Sequence, residues 1–303
     1  MNVHSKKRDI DMHSDQIVLV TGATSGIGRA TALDLARAGH RVFATGRREH
    51  ALTSLAKEGA GLRLETLVMD VTKAESIAAA KAEIDARTGG YGVDAVVNNA
   101  GFGLGGPLEE ISDEALRGQY ETNVFGLMAV TRAFLPKMRE RRHGRIINVS
   151  SVGGRVTLPM LGAYNSTKYA VESLSDALRV ELRPFGVKVV IIEPGSIATE
   201  FAEVAMSSVE ANSDSPYAGA LADAAKFRAM FDNTAVAPRH VTSAIVKAVQ
   251  SASPAARYVR PWRTYMMLVV ASVLPTSWVD ALLGHLTGLT KAKLFATPRL
   301  TPQ

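Results

Sequence analysis

The chain has 303 residues, 47% of them apolar and 21% charged, with no cysteine. This is globular composition with ample chain for a large core, which excludes disorder and collagen-like repeats. It also excludes disulfides, thiolate nucleophiles, iron–sulfur clusters and Cys-ligated zinc. Lys+Arg exceed Asp+Glu by 35 to 29, a net charge of +6. The basic residues are scattered apart from Lys6-Lys7-Arg8, Arg47-Arg48 and Arg139-Glu140-Arg141-Arg142, so a solvated surface is expected and no nucleic-acid partner.

Residues 1–15 are polar and lack an apolar h-region, which reads as a disordered tail of a cytoplasmic protein. Ile17–Val20 is a continuous apolar strand, and Gly28–Ala38 has helical apolar spacing stopped by Gly39. Arg41–Thr45 and Leu62–Met69 read as strands, Ala74–Ala86 as an Ala-rich helix and Val93–Asn98 as a strand. Ser112 is placed to cap a helix with Asp113 and Glu114 in its first turn. That pattern runs toward Met138, with Pro136 expected to kink or break it. Strand Arg145–Val149, helix Ala163–Leu182 and strand Val187–Glu193 follow. Apolar strands alternating with helices predict an α/β fold, a doubly wound parallel sheet covered on both faces, in one catalytic-size domain over 16–262.

The texture changes after Glu200. Residues 203–236 are Ala/Ser-rich and read as a lid or surface insertion, Val241–Val249 as an amphipathic helix and Tyr258–Val259 as a short strand. Residues 263–303 form an apolar extension. Met266–Leu274 carries one serine in nine residues and is followed by Pro275, Trp278, Leu282, Leu283 and Leu286. A membrane span needs about 20 apolar residues, so Pro275, Asp280 and His285 rule out a transmembrane helix here. Packing on the core or a second subunit is expected, with pocket wall or membrane surface as the alternatives.

The chemistry starts at Thr21-Gly22-Ala23-Thr24-Ser25-Gly26-Ile27-Gly28, between the first strand and the first helix. Glycines there permit a tight turn and close backbone approach to a pyrophosphate seated on the helix N-terminus. The second strand ends in Thr45-Gly46-Arg47-Arg48 with no acid to bind an adenine-ribose 2′-hydroxyl, and Arg47 offers a guanidinium fork suited to a 2′-phosphate. NADP(H) is therefore the expected cofactor. Tyr164 and Lys168 are four apart on one helix face. A nearby ammonium is expected to lower the phenol from its usual value of about 10. Ser150-Ser151 ends a strand, where open α/β sheets build their sites. The seven histidines show no HxxxH pairing, so no metal site is expected.

Together, Thr21-Gly22-x-x-x-Gly26-Ile27-Gly28, Asn98-Asn99-Ala100-Gly101 and Tyr164-x-x-x-Lys168, in this order, resemble the classical short-chain dehydrogenases/reductases over residues 16 to 200. The Asn-Ala-Gly-Phe-Gly run and the Ser151-Val152-Gly153-Gly154 context look most like the steroid, retinol and other lipophilic-substrate branches. The resemblance implies a Rossmann-type domain with about seven parallel strands, hydride transfer between nicotinamide and a carbonyl or alcohol, and a homo-dimer or homo-tetramer. It implies Tyr164 as the proton-passing group and Lys168 as its tuner and ribose ligand. Ser151, thirteen residues before the tyrosine, is then the group that polarises the substrate oxygen, and Asn123 the asparagine that orders a water toward the lysine. It places the cofactor along Gly22, Thr24, Ser25, Gly26, Ile27, Gly28, Arg47, Asp70, Val71, Asn99, Ala100 and Gly101. Pro194, Gly195, Ile197 and Thr199 complete that track, with a substrate loop at about 200–236 as the lid. A bulky apolar ketone, aldehyde or alcohol is the expected substrate. The alternatives are a nucleotide-binding regulator without chemistry and a membrane-docked lipid-metabolising reductase.

Overall fold

The computed structural model describes residues 15–201, 204–205, 215–221 and 233–294. Residues 1–14 of the expected tail, most of the expected 200–236 loop and residues 295–303 lie outside the described residues. Seven parallel strands form one sheet in the order β3-β2-β1-β4-β5-β6-β7: β1 Ile17–Val20, β2 Arg41–Gly46, β3 Leu64–Val68, β4 Ala95–Asn98, β5 Gly144–Val149, β6 Val187–Pro194 and β7 Arg257–Arg260. All seven expected strands are present. The central ones are apolar throughout because both faces are covered, and the side chains divide between two cores with the period of two that a strand imposes. In β1, Val18 and Val20 face one core and Leu19 the other.

The first core takes helices α1 (Gly26–Arg37) and α7 (Arg239–Gln250), together with Leu55 of α2 (Glu49–Glu58). The opposite core takes α3 (Ala74–Arg87), α5 (Leu127–Glu140) and α6 (Gly162–Leu182). Helix α2 has no counterpart among the expected elements: only Leu52 and Leu55 are buried in its ten residues, too few to register as an amphipathic stripe. Ser112 caps α4 (Asp113–Tyr120) as expected, its hydroxyl accepting from the Ala115 N–H at 3.1 Å. A π-helical segment, Glu121–Gly126, joins α4 to α5. Pro136 does not break α5, which continues to Glu140. A proline in a helix interior costs about 3 kcal/mol, and burial of Phe134 on one side and Met138 on the other offsets a penalty of that size.

Sheet and helices are keyed together by buried amides. Asn98 Nδ2 donates to Thr131 Oγ1 of α5 and to Asn148 Oδ1, each at 2.9 Å, and Asn148 Nδ2 donates to Ser175 Oγ of α6 at 2.8 Å. This chain fixes α6, and hence Tyr164 and Lys168, against the carboxyl ends of β4 and β5. The strand order reverses between β1 and β4, and the crevice outside such a reversal is where open α/β sheets bind ligands. Beyond β7, α8 (Arg263–Val273) and α9 (Thr276–Leu286) form a hairpin broken at Pro275. No helix of the described residues is long and apolar enough to cross a membrane.

Candidate active site

A cleft of about 1630 Å³ runs along the carboxyl ends of the strands. Its floor at one end is the turn after β1. Gly22 and Gly26 both have positive φ, +65° and +53°. A Cβ on Gly22 would come within 2.7 Å of the Ala100 Cα, so the two loops touch backbone to backbone. A Cβ on Gly28 would collide with the Gly22 carbonyl and the Asn99 amide, which is why Gly28 packs behind the turn and does not line the cleft. Ser25 occupies the N-cap of α1 without capping it through its side chain, and the first turn carries no acid. The leading N–H groups of α1 thus face the cleft with positive partial charge, as an anionic phosphate requires.

Gly46, Arg47, Arg48, Asp70 and Val71 line the same end. Arg47 and Arg48 are exposed, and Arg48 Nη2 donates to Thr24 Oγ1 at 3.4 Å. A Cβ on Gly46 would lie 2.5 Å from the Thr24 methyl, so the threonine occupies the space a ribose-binding acid at this position would need. Asp70 accepts from the Thr72 N–H at 3.0 Å and its hydroxyl at 2.8 Å. Burial opposes ionisation, but these bonds and the Arg47 charge hold its carboxyl below the usual range. Asn99 donates to the carbonyls of Thr21 and Gly22 at 3.1 Å, tying the β4 loop to the glycine turn.

At the other end, Ser151, Tyr164 and Lys168 converge. The Ser151 hydroxyl is hydrogen-bonded to Tyr164 and accepts from the Gly153 N–H at 3.0 Å. Lys168 Nζ donates to the Val149 carbonyl at 2.9 Å and lies 5.7 Å from the centre of the Tyr164 ring. Burial pushes the Tyr164 hydroxyl up to about 12, opposed only in part by the Ser151 bond. Burial likewise brings Lys168 down to about 8, with Glu172 pulling it upward. The lowering of the phenol expected from the lysine is not found: burial raises it, and the group that opposes the rise is Ser151, not Lys168.

Asn123 lies behind the cleft, in the π-helical segment. Its Nδ2 donates to the Phe102 carbonyl at 2.9 Å and to Thr167 Oγ1 at 3.1 Å, while Oδ1 accepts from the Phe102 N–H at 3.1 Å. The side chain thus clamps the Gly101–Gly103 loop to α6. Pro194, Gly195, Ile197 and Thr199 line the far wall, and Thr199 sits 3.5 Å from where a Gly26 Cβ would be.

Several lining residues carry no signal in the sequence. Phe201 meets Tyr164 in a tilted contact with ring centres 5.0 Å apart, and Phe201 and Ala205 cover Gly103, where a Cβ would be 2.7 Å from Ala205. Trp262, Thr264, Leu283 and Leu286 come from the C-terminal hairpin. No local pattern marks Phe201, Trp262 or Thr264, whereas Leu283 and Leu286 belong to the apolar extension for which a pocket wall is one of the expected alternatives. Behind Lys168, Arg257 pairs with Glu172, with Glu193 at 2.7 Å and with Asp176 at 2.6 Å.

Comparison with known proteins agrees with this architecture. The family model described as short chain dehydrogenase matches residues 16–210. A 3-ketodihydrosphingosine reductase of Bacteroides thetaiotaomicron is 37% identical over 249 residues, covering 82% of this chain and 87% of its own. Mouse retinol dehydrogenase 7 is 34% identical over 292 residues, covering 92% and 91%. Among solved structures, a serine dehydrogenase complexed with NADP+ superposes with TM-score 0.70 at 33% identity, covering 80% of this chain and 93% of its own. A Burkholderia phymatum short-chain dehydrogenase/reductase in complex with NAD gives 0.74 at 26% identity, covering 84% and 92%. A glycine turn at the sheet's switch point, a Ser–Tyr–Lys cluster at the far end of the same cleft and these matches lead to one conclusion: the chain belongs to the short-chain dehydrogenase/reductase family of oxidoreductases.

Proposed function

We propose that this protein is an NADP(H)-dependent oxidoreductase that interconverts a bulky apolar ketone or aldehyde with its alcohol. The observation that carries the reading is the convergence of Ser151, Tyr164 and Lys168 in a cleft whose other end is an uncapped helix N-terminus flanked by Arg47 and Arg48. Solved relatives hold either cofactor, so the choice of NADP(H) rests on Gly46, which Thr24 keeps free of a carboxylate, and on the two arginines. Bound cofactor supplies the hydride and, when oxidised, a positive ring charge.

The remaining chemistry belongs to the side chains. A phenol held near 12 is fully protonated at neutral pH, which suits Tyr164 to give its proton to the substrate oxygen in the reducing direction. Ser151 accepts from the Gly153 N–H and donates to the Pro194 carbonyl at a long 3.4 Å, a bond weak enough for its proton to turn to the substrate oxygen as charge develops. Lys168, anchored on Val149, orients the ribose and stabilises the tyrosinate that forms. Asn123 acts as a positioning residue through Phe102 and Thr167. Phe102, Leu158, Leu161, Phe201 and Val204 supply apolar walls, which favour a lipophilic substrate over a sugar or hydroxy acid.

A panel of ketones and aldehydes followed by NADPH absorbance, with Kd for NADPH and NADH measured on wild type and Arg47→Ala, tests the reading. Hydrophobic carbonyls should give the higher kcat/KM, and Arg47→Ala should weaken NADPH about tenfold or more while leaving NADH little changed. NADH binding as tight as NADPH and indifferent to Arg47, or a strong preference for small polar carbonyls, would overturn it.

A further inference from the structure

The C-terminal hairpin does not pack as its apolar composition predicts. Along α8, Trp262, Met266, Val269, Val270 and Val273 follow helical spacing and all are exposed, Val273 to 74%, while among the described side chains Leu268 is buried. On α9, Trp278, Leu282 and Leu286 repeat the pattern, with Trp278 exposed to 66%. An amphipathic helix ordinarily turns its apolar stripe inward. Here two consecutive helices leave it exposed, apolar surface of the kind that marks an interaction site.

We propose that this hairpin is a peripheral docking surface for an anionic lipid bilayer. Charge selects the occupant. Over residues 260–294 the sequence carries four basic residues (Arg260, Arg263, Lys291 and Lys293) and one acid, Asp280. At 100° per residue, Asp280 falls on the side of α9 opposite the Trp278–Leu282 stripe. A second copy related by two-fold symmetry would bring this basic segment against itself, whereas an anionic leaflet gains about 1 kcal/mol for each basic residue near its surface. Length selects the mode. Each helix has eleven residues, about 16 Å at 1.5 Å per residue. That is half a hydrocarbon core of about 30 Å, so the hairpin lies in the interface plane with tryptophan at headgroup depth. Trp262, Leu283 and Leu286 also line the cleft, so the docked face borders the cleft mouth.

Trp262 and Trp278 are the protein's two tryptophans, so intrinsic fluorescence reports on the hairpin alone. The test is co-sedimentation and fluorescence of the full chain with phosphatidylcholine vesicles, with and without about a third phosphatidylglycerol. Sedimentation with the anionic vesicles and a blue shift are expected, both weakened by 0.5 M salt, roughly the range in which the Debye length falls below 8 Å. Val273→Ser/Trp278→Ser/Leu282→Ser should lower partitioning at least about tenfold while leaving circular dichroism and the melting temperature unchanged, since all three positions are exposed. These readouts do not depend on turnover, so their failure is distinct from a failure of the proposed chemistry. Three results would overturn the proposal: no binding to either vesicle; equal binding to neutral and anionic vesicles; or a wild-type oligomer that the triple variant dissociates, which would assign the face to a second copy.

Discussion

Replacing Asn123 tests whether the loop over the cleft is held from behind. In Asn123→Ala the side chain loses both donors and its acceptor. The consequences are unequal. The Phe102 carbonyl keeps the Gln119 amide at 3.1 Å, and Thr167 Oγ1 still donates to the Tyr164 carbonyl at 2.7 Å. One group, the Phe102 N–H, is left without its partner. An unsatisfied donor costs about 1–3 kcal/mol, and the small void adds a fraction of that, so a loss of roughly 2–3 kcal/mol is expected. Asn123→Asp keeps the acceptor for Phe102 N–H but turns a carboxylate oxygen toward the Phe102 carbonyl at a site only 1% exposed. Burial and that carbonyl raise the new carboxyl above its unfolded value of about 3.9. A group with a raised folded pKa contributes its stability below the unfolded pKa and loses it as pH rises through the folded one. Urea unfolding at pH 5 and pH 8 therefore reads the clamp directly. The aspartate variant should be the weaker of the two at pH 8 and close the gap at pH 5. An aspartate variant as stable as wild type at pH 8, or stability differences independent of pH, would refute this geometry.

Tyr164→Phe should abolish turnover while NADPH binding, followed by fluorescence titration, survives; Lys168→Ala should damage both. Because Lys168 is lowered to about 8 in the fold against about 10.4 in the unfolded chain, the unfolded state holds the extra proton between these values. Lys168 therefore adds stability as pH rises from 8 to 10.4, a gain of order 3 kcal/mol. The difference between wild type and Lys168→Met in denaturant melts across that window should show the rise, and a flat difference would contradict it. Gly46→Asp alone should reduce affinity for both cofactors, since its Cβ meets Thr24 at 2.5 Å; Thr24→Gly/Gly46→Asp should recover NADH binding. A single Gly46→Asp variant that binds NADH well would show that the threonine is no obstacle.

Residues whose role is local are legible in the amino-acid sequence by itself. Apolar runs such as Ile17–Val20 must be buried on both faces wherever they sit, and parallel strands with helices between them leave few arrangements. Gly22, Gly26 and Gly28 signal a turn because backbone sterics act within a few residues, and Tyr164 with Lys168 share a face because a helix repeats every 3.6 residues. Ser112 caps its helix for the same reason. Helix α2 escapes notice because two buried leucines make a weak stripe, and the break expected at Pro136 is absent because local propensity is overridden when Phe134 and Met138 are both buried. What depends on distance in sequence is settled by packing alone. The phenol's raised pKa follows from its burial, with the Ser151 bond opposing it, and the space at Gly46 from a threonine 22 residues earlier. The clamp on Phe102 comes from an asparagine 21 residues later. The direction in which the C-terminal stripe faces is the clearest case: periodicity fixes that Trp262, Met266, Val269 and Val273 share one side of a helix, but only the docking of Leu268 and Leu283 against the domain decides that this side points outward.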